Sequence, residues 1–226
     1  MTTAIIVAAG KSERMEGKVD KAFLSLGSKP VLAYSLMAFD FCPDINSIVL
    51  VVRRDQQIAA KGVVQMFGCR KVSQIVAGGP SRTASVRNGL EVCDPDTQIV
   101  CVHDAARPCI VSPLISETVA LAKRNGSAVV AHQITDTLKS VDRGNVISST
   151  IDRSAIWAAQ TPQAFKFELL KKAYGKIQDA DETITDDAGA VERLGEKVYL
   201  VRNDRPNIKI TVAEDIKIAA MLLGVK

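Results

Sequence analysis

Aromatic residues make up only 4% of this chain, and histidine occurs twice, at His103 and His132. So few rings give little platform for stacking unpaired bases, which argues against a reader of RNA or single strands. Charge of one sign is also missing: 29 basic residues against 25 acidic give a net +4, dispersed along the chain. That balance favours neither a nucleic-acid surface nor a membrane surface. The five cysteines (Cys42, Cys69, Cys93, Cys101 and Cys109) form an odd, unpatterned set without C-x-x-C, as in a reduced protein rather than a disulfide framework. Cys101-x-His103 has no second pair at a zinc spacing. No run reaches about 18 apolar residues, and no basic start leads into an apolar stretch of signal length. A soluble, cytoplasmic protein is the expectation, with no nucleic-acid or membrane partner.

What is present is a chain of 226 residues, 47% hydrophobic, enough for one well-filled core and short for two. A single domain over residues 1–226 is expected. No repeat, low-complexity tract or linker interrupts it.

The most informative stretch is Thr3 to Lys21. Ala4 to Ala8 is a short, β-branched apolar run that reads as a buried parallel strand. It feeds into Ala8-Ala9-Gly10, where small side chains let a ligand approach the backbone amides. Lys11, Arg14, Lys18 and Lys21 follow, a density of cations suited to a polyanion such as a nucleoside triphosphate. Two better-known phosphate loops fail on their letters. Six residues, not four, separate Gly10 from Gly17, and Lys18 precedes Val19 rather than Ser or Thr. Ser12 and Met15 stand where the dinucleotide fingerprint needs glycine. The remaining pattern, A-A-G-x-x-x-R-M with Lys21, resembles the signature loop of nucleotidylyltransferases. A tight turn with a solvated basic face is the alternative reading.

Further on, strands and helices alternate. Ser28 to Asp40 places Val31, Leu32, Leu36 and Phe39 on one helical face. Strands are expected at Ile48 to Val52, Val72 to Val76, Ile99 to Val102, Ala128 to Val130 and Val198 to Val201, with helices at about Asp55 to Phe67, Ser112 to Asn125 and Phe167 to Tyr174. The fold class is therefore α/β with a mostly parallel sheet. Gly78-Gly79-Pro80-Ser81 forms a second close-approach loop at a helix start, facing a ligand or simply capped by Ser81. Ile99 to Val102 runs into His103-Asp104-Ala105-Ala106-Arg107-Pro108. Because ligands in open α/β sheets sit at the carboxyl ends of strands, Asp104 is a candidate Mg²⁺ ligand, with helix capping as the alternative. Between Ile134 and Ala158, Thr/Val/Ile alternation around Asp142-Arg143-Gly144-Asn145 signals a hairpin. An isolated two-stranded arm is marginal in water and calls for a partner, so a homodimer is expected. Thr185-Asp186-Asp187-Ala188 reads as a helix start capped by threonine, its two acids explained by the dipole. Thr211-Val212-Ala213-Glu214 reads as a capping box.

Taken in order, Ala8-Ala9-Gly10 with Arg14-Met15, Gly78-Gly79, His103 to Pro108, Asp136-Thr137, Gln160-Thr161-Pro162-Gln163, Thr185-Asp186 and Asn207-Ile208-Lys209-Ile210-Thr211 make the chain resemble the 2-C-methyl-D-erythritol 4-phosphate cytidylyltransferases over nearly its whole length. The resemblance implies a Rossmann-like nucleotidyltransferase domain with a protruding β-arm that builds a homodimer. It also implies the reaction of CTP with methylerythritol phosphate, giving 4-diphosphocytidyl-2-C-methylerythritol and pyrophosphate for isoprenoid precursors.

In such a reaction the nucleophile is already anionic, so catalysis means positioning and charge neutralisation. Arg14 and Lys21 are the candidates for holding the developing charge, with Mg²⁺ on Asp104. By motif position, Ala8, Ala9, Gly10, Gly79, Ser85, Asp104 and Ala105 would hold the nucleotide. Arg107, Asp136, Thr137, Arg153, Thr161, Thr185 and Lys209 would serve the acceptor, with Arg153 and Lys209 on its phosphate. Thr161 and Thr185 also read as an ordinary turn residue and cap. The chain departs from the family at Ser12, at Asp20-Lys21-Ala22 and at Pro80, which removes an amide donor. A ribitol 5-phosphate cytidylyltransferase and a non-catalytic nucleotide-sensing homologue are the alternatives.

Overall fold

The structure is a computed structural model and describes residues 1–10, 20–177 and 184–225. The first apolar run becomes β1 (Thr2–Ala8). After the first loop come a short antiparallel pair, β2 (Ser25–Leu26) and β3 (Lys29–Pro30), and then α1 (Val31–Asp40). Strand and helix alternate through β4 (Ser47–Val52), α2 (Gln57–Met66), β5 (Val72–Ala77) and α3 (Arg82–Glu91). The pattern continues with β6 (Ile99–Asp104), α4 (Ser112–Asn125) and β7 (Ser127–Gln133). A separate hairpin follows, β8 (Leu138–Val141) with β9 (Ile147–Ile151). The chain then returns through β10 (Trp157–Lys166), α5 (Phe167–Lys176), α6 (Asp187–Glu192), β11 (Leu200–Arg202) and α7 (Ala213–Leu223).

Seven strands form one sheet in the order β11-β7-β10-β6-β1-β4-β5. All pairings are parallel except those of β10, which runs antiparallel between β6 and β7. The strands read as apolar runs because both faces are covered. Ile6, Leu50, Cys101 and Val130 pack with Phe39 and Ile115 on one face. On the other, Ile5, Val51, Val102 and Phe165 pack with Val86, Leu170 and Val191. The chain leaves β1 toward β4 and leaves β6 toward β7, so the loops after these adjacent strands diverge and open a crevice at their carboxyl ends. Thr3↔Val100 and Val7↔Asp104 fix that register, and the amide of Ala105 donates to the Val7 carbonyl at 3.0 Å.

Several expectations are corrected. Gln160 to Gln163 lie inside β10, a strand the sequence did not suggest because Pro162 cannot donate to a ladder. The pairing shifts between Ala159 and Gln163, which is where the proline is accommodated. The arm is shorter than 134–158: its hairpin spans 138–151, while Trp157 and Ala158 pair with Gln133 and His132 in the main sheet. The turn at Gly144 and Asn145 is as expected, both in the left-handed region with φ of 84° and 60°. Helix caps shift by one residue. Asp186, not Thr185, caps α6 by accepting from the Gly189 amide at 2.9 Å. Before α7 the acid is Asp215, not Glu214, accepting from the Thr211 and Val212 amides at 2.6 and 2.9 Å. The helix expected over Ser112 to Asn125 is found with those bounds, Val111 standing at its cap position.

Gly89 in α3 is where helix and sheet come closest: a Cβ there would lie 2.7 Å from Ile5 Cγ2 and 3.2 Å from Val51 Cγ2. Gly89→Val is expected to destabilise the fold by about 1–3 kcal/mol through overpacking, lowering the thermal midpoint by roughly 2–4 °C per kcal/mol. An unchanged midpoint in thermal denaturation would show that α3 does not rest on β1 in this way.

Candidate active site

A cavity of about 400 Å³ opens at the carboxyl ends of β1, β5 and β6. Ala8, Ala9 and Gly10 line it from the first loop, Gly79 and Ser85 from the second, and Asp104 and Ala105 from the end of β6. Lys21 and Lys209 complete the wall with cations. A smaller cavity of about 240 Å³ shares Arg82, Asp104 and Lys209 with it and adds Arg107, Thr161 and Thr185. Thus nine of the expected residues meet in the larger space and three more in its neighbour. Asp136, Thr137 and Arg153 do not join them. All three are exposed at the base of the arm, where Arg153 donates to the Thr135 carbonyl. Arg14, like Ser12, lies outside the described residues.

The two loops touch. A Cβ on Gly78 would stand 2.3 Å from the Ala9 Cβ and 2.8 Å from Ser85 Oγ; one on Gly79 would stand 2.4 Å from the Ala84 Cβ. Both glycines are therefore required by close approach. Ser81 caps α3 as expected, accepting from the Ala84 amide at 3.0 Å. Ser85 Oγ accepts from the Gly79 amide at 3.1 Å and donates to the Ser81 carbonyl at 2.8 Å, so it shapes the loop as well as facing the cavity.

Asp104 is the electrostatic centre. Arg82 Nε donates to its Oδ1 at 3.0 Å and Lys209 Nζ to its Oδ2 at 2.6 Å. Burial pushes the carboxyl pKa up, but Arg82 and then Lys209 outweigh it and hold the group well below the ordinary carboxylate range. Arg82 also donates from Nη2 to Asp187 Oδ2 at 2.8 Å. Its burial disfavours the charge, yet Asp187 and Asp104 more than compensate and keep it ionised. Nothing in the sequence marked the pairing of Arg82 with Asp187, which joins residues 105 apart. The helix-start reading holds for both acids, Asp186 as the cap and Asp187 in the first turn of α6, but Asp187 is also fully buried and gripped by Arg82, which the dipole reading did not include.

Among the described residues no three His, Cys, Asp or Glu side chains converge as a metal site. With both oxygens of Asp104 already engaged, the donor set suits a hard cation that arrives with phosphate oxygens of its own rather than a resident ion.

Behind Asp104, a chain of hydrogen bonds has a fixed direction. His103 Nε2 lies 3.3 Å from the Arg107 carbonyl, which only accepts, so Nε2 carries the proton. Nδ1 then accepts from the Thr161 hydroxyl at 3.0 Å, leaving Thr161 Oγ1 to accept the Asp104 amide at 3.1 Å. Thr161 thereby braces Asp104 from behind. Gln160 Oε1 accepts from Asn203 and Asn207 at 3.1 and 3.3 Å, and Arg107 donates to the Asn207 carbonyl at 2.6 Å, fastening the segment that carries Lys209.

A strand-end crevice that gathers small loops and cations over one balanced carboxylate, with a second polar cavity beside it, defines a nucleotidyltransferase of the open α/β kind. The profile of the 2-C-methyl-D-erythritol 4-phosphate cytidylyltransferase family matches residues 2–225, and the chain belongs to that family. A family member from Caldanaerobacter subterraneus subsp. tengcongensis is 42% identical over 222 residues, covering 98% of each chain. The crystal structure of 4-diphosphocytidyl-2C-methyl-D-erythritol synthase from Anaerococcus prevotii superposes with a TM-score of 0.86 at 30% identity, covering 99% of this chain and 96% of that one. The cytidylyltransferase from Thermus thermophilus gives 0.80 at 29% identity over the full length of both. No helix among the described residues is long and apolar enough to cross a membrane.

Burial pushes the His103 pKa down to about 3. Between that value and the ordinary 6.5 the unfolded chain binds a proton that the folded chain refuses, so stability falls as pH drops through this window. Urea unfolding at about pH 7.5 and about pH 5 is expected to show wild type losing about 2 kcal/mol more than His103→Gln. Equal losses would mean that His103 titrates normally in the fold.

Proposed function

We propose that the two cavities form a two-part cytidylyl-transfer site, the larger taking CTP and the smaller the methylerythritol phosphate. The family reaction joins the acceptor's 4-phosphate to the α-phosphorus of CTP and releases pyrophosphate, so two anions must be brought together. The observation that carries the assignment is the position of Lys209. It lines both cavities and is paired with Asp104 between them, where an acceptor phosphate would meet a nucleotide phosphate.

In this reading the Ala8-Ala9-Gly10 loop and Gly79 admit the nucleotide because their backbones leave room for it. Lys21, with Arg14, neutralises charge that builds on the α-phosphate and the departing pyrophosphate. Lys209 and Arg107 take the acceptor's phosphate side. Pro80 offers no amide, so base recognition falls to its neighbours. Asp104 is the carboxylate at hand for a Mg²⁺ ion accompanying CTP, which would supply charge screening for the triphosphate and the departing pyrophosphate.

The arm supports a homodimer. It carries Val141, Val146, Ile147 and Ile151 at 40–62% exposure, an apolar surface that a two-stranded ribbon gains by burying. Asp136, Thr137 and Arg153 would then reach the acceptor side of a second copy's site. The ribitol phosphate reading is not favoured by the full-length family match.

Pyrophosphate release from CTP and Mg²⁺ is expected with methylerythritol phosphate and not with ribitol 5-phosphate. Lys21→Ala is expected to lower kcat about a hundredfold to a thousandfold while CTP still binds. Turnover with ribitol phosphate alone would move the chain to the sister reaction. CTP binding without turnover on either acceptor would make it a sensor.

A further inference from the structure

We infer that Asp187, buried behind the site, is a positioning residue for the transfer reaction: by gripping Arg82 it sets the carboxylate of Asp104, and through it the ammonium of Lys209. The inference rests on the acceptor role given to Lys209 above and deepens it.

Four charged side chains alternate in sign from the core to the cavity. Asp187 is wholly buried, Arg82 is 25% exposed, Asp104 10% and Lys209 38%. At the inner end the Tyr174 hydroxyl donates to Asp187 Oδ1, while Oδ2 receives Arg82 Nη2 at 2.8 Å. Both oxygens are thus committed, and each commitment has a direction. The guanidinium is a rigid planar fork, so fixing Nη2 on Asp187 also fixes where Nε points, which is at Asp104 Oδ1, 3.0 Å away. That contact leaves Oδ2 to Lys209 at 2.6 Å.

The members come from separate parts of the fold: Tyr174 from α5, Asp187 from α6, Arg82 from the first position of α3 and Asp104 from the end of β6. Asp187 stands in the first turn of α6, where a negative charge suits the helix dipole, but a dipole does not require full burial. Burying one is costly unless a cation and further donors satisfy it. Here the satisfied pair is spent holding a residue that lines both cavities. Lys209 is the outermost and most exposed member, held through Asp104 alone in this chain, so its ammonium has the most freedom to move when Asp187 releases Arg82, and the acceptor KM is the readout.

The test is steady-state kinetics on the full chain with CTP and methylerythritol phosphate, for wild type, Asp187→Asn, Lys209→Gln and the double variant. Asp187→Asn is expected to raise the acceptor KM about tenfold and to leave the CTP Kd from calorimetry within about twofold. In the double variant, kcat/KM for the acceptor is expected to match that of Lys209→Gln alone, because both changes break one chain. Effects that multiply in the double variant, or a loss shared equally by CTP and acceptor, would overturn the inference. If Asp187→Asn does not fold, Tyr174→Phe replaces it, since it keeps every charge and removes one hydroxyl. An acceptor KM raised about threefold with the same non-additivity is then expected, and an unchanged KM contradicts it. A wild type that binds CTP but is inactive with this acceptor would overturn the reading on which the inference rests. An active wild type with an unaffected Asp187→Asn would overturn the inference alone.

Discussion

The carboxylate of Asp104 has two cations on it, Arg82 at 3.0 Å and Lys209 at 2.6 Å, at the point where the loops after β1 and β6 part. A lone buried carboxylate there would be costly, and two adjacent cations without it would repel each other. Their mutual neutralisation lets a dense set of charges sit at the edge of the core. The rest of the site is arranged to keep that carboxylate still. The sheet register sets its backbone, Thr161 accepts its amide, and the neutral His103 fixes the Thr161 hydroxyl. On the proposed reading, an acceptor phosphate approaching Lys209 would meet an ammonium already oriented rather than one it must recruit from solvent.

The same arrangement would let a nucleotide and a sugar phosphate share one crevice, as proposed. Small residues at Ala8, Ala9 and Gly79 line the cavity, and the contacts of Gly78 with Ala9 and of Gly79 with Ala84 leave no room for larger side chains at the two glycines. On the proposed reading, specificity would be a matter of shape on the nucleotide side and of charge on the acceptor side. The fold supplies both by ending β1, β5 and β6 on one rim.

Much of this was legible in the sequence, for physical reasons. Apolar runs of strand length alternating with amphipathic helices specify a parallel sheet, and residues at strand ends necessarily gather on one rim, which is why Ala9, Gly79 and Asp104 were found together. Local chemistry also carried: Ser81 as a cap and the turn at Gly144-Asn145 depend only on near neighbours. What was hidden is non-local. Arg82 drew no reading because its partner Asp187 is 105 residues away. Asp187 read as a dipole acid because burial is not written in its neighbours. β10 was missed because Pro162 argues against a strand, and only tertiary pairing with a register shift overrides that preference.

The most direct test of the account is the turnover of Asp104→Asn, which keeps the shape of the side chain and removes its charge. The account predicts a folded α/β protein whose kcat/KM for the acceptor falls by about a hundredfold or more, because Arg82 and Lys209 lose the group that holds them. Turnover within about threefold of wild type would contradict it, since the carboxylate would then be a bystander at the rim rather than its organising charge.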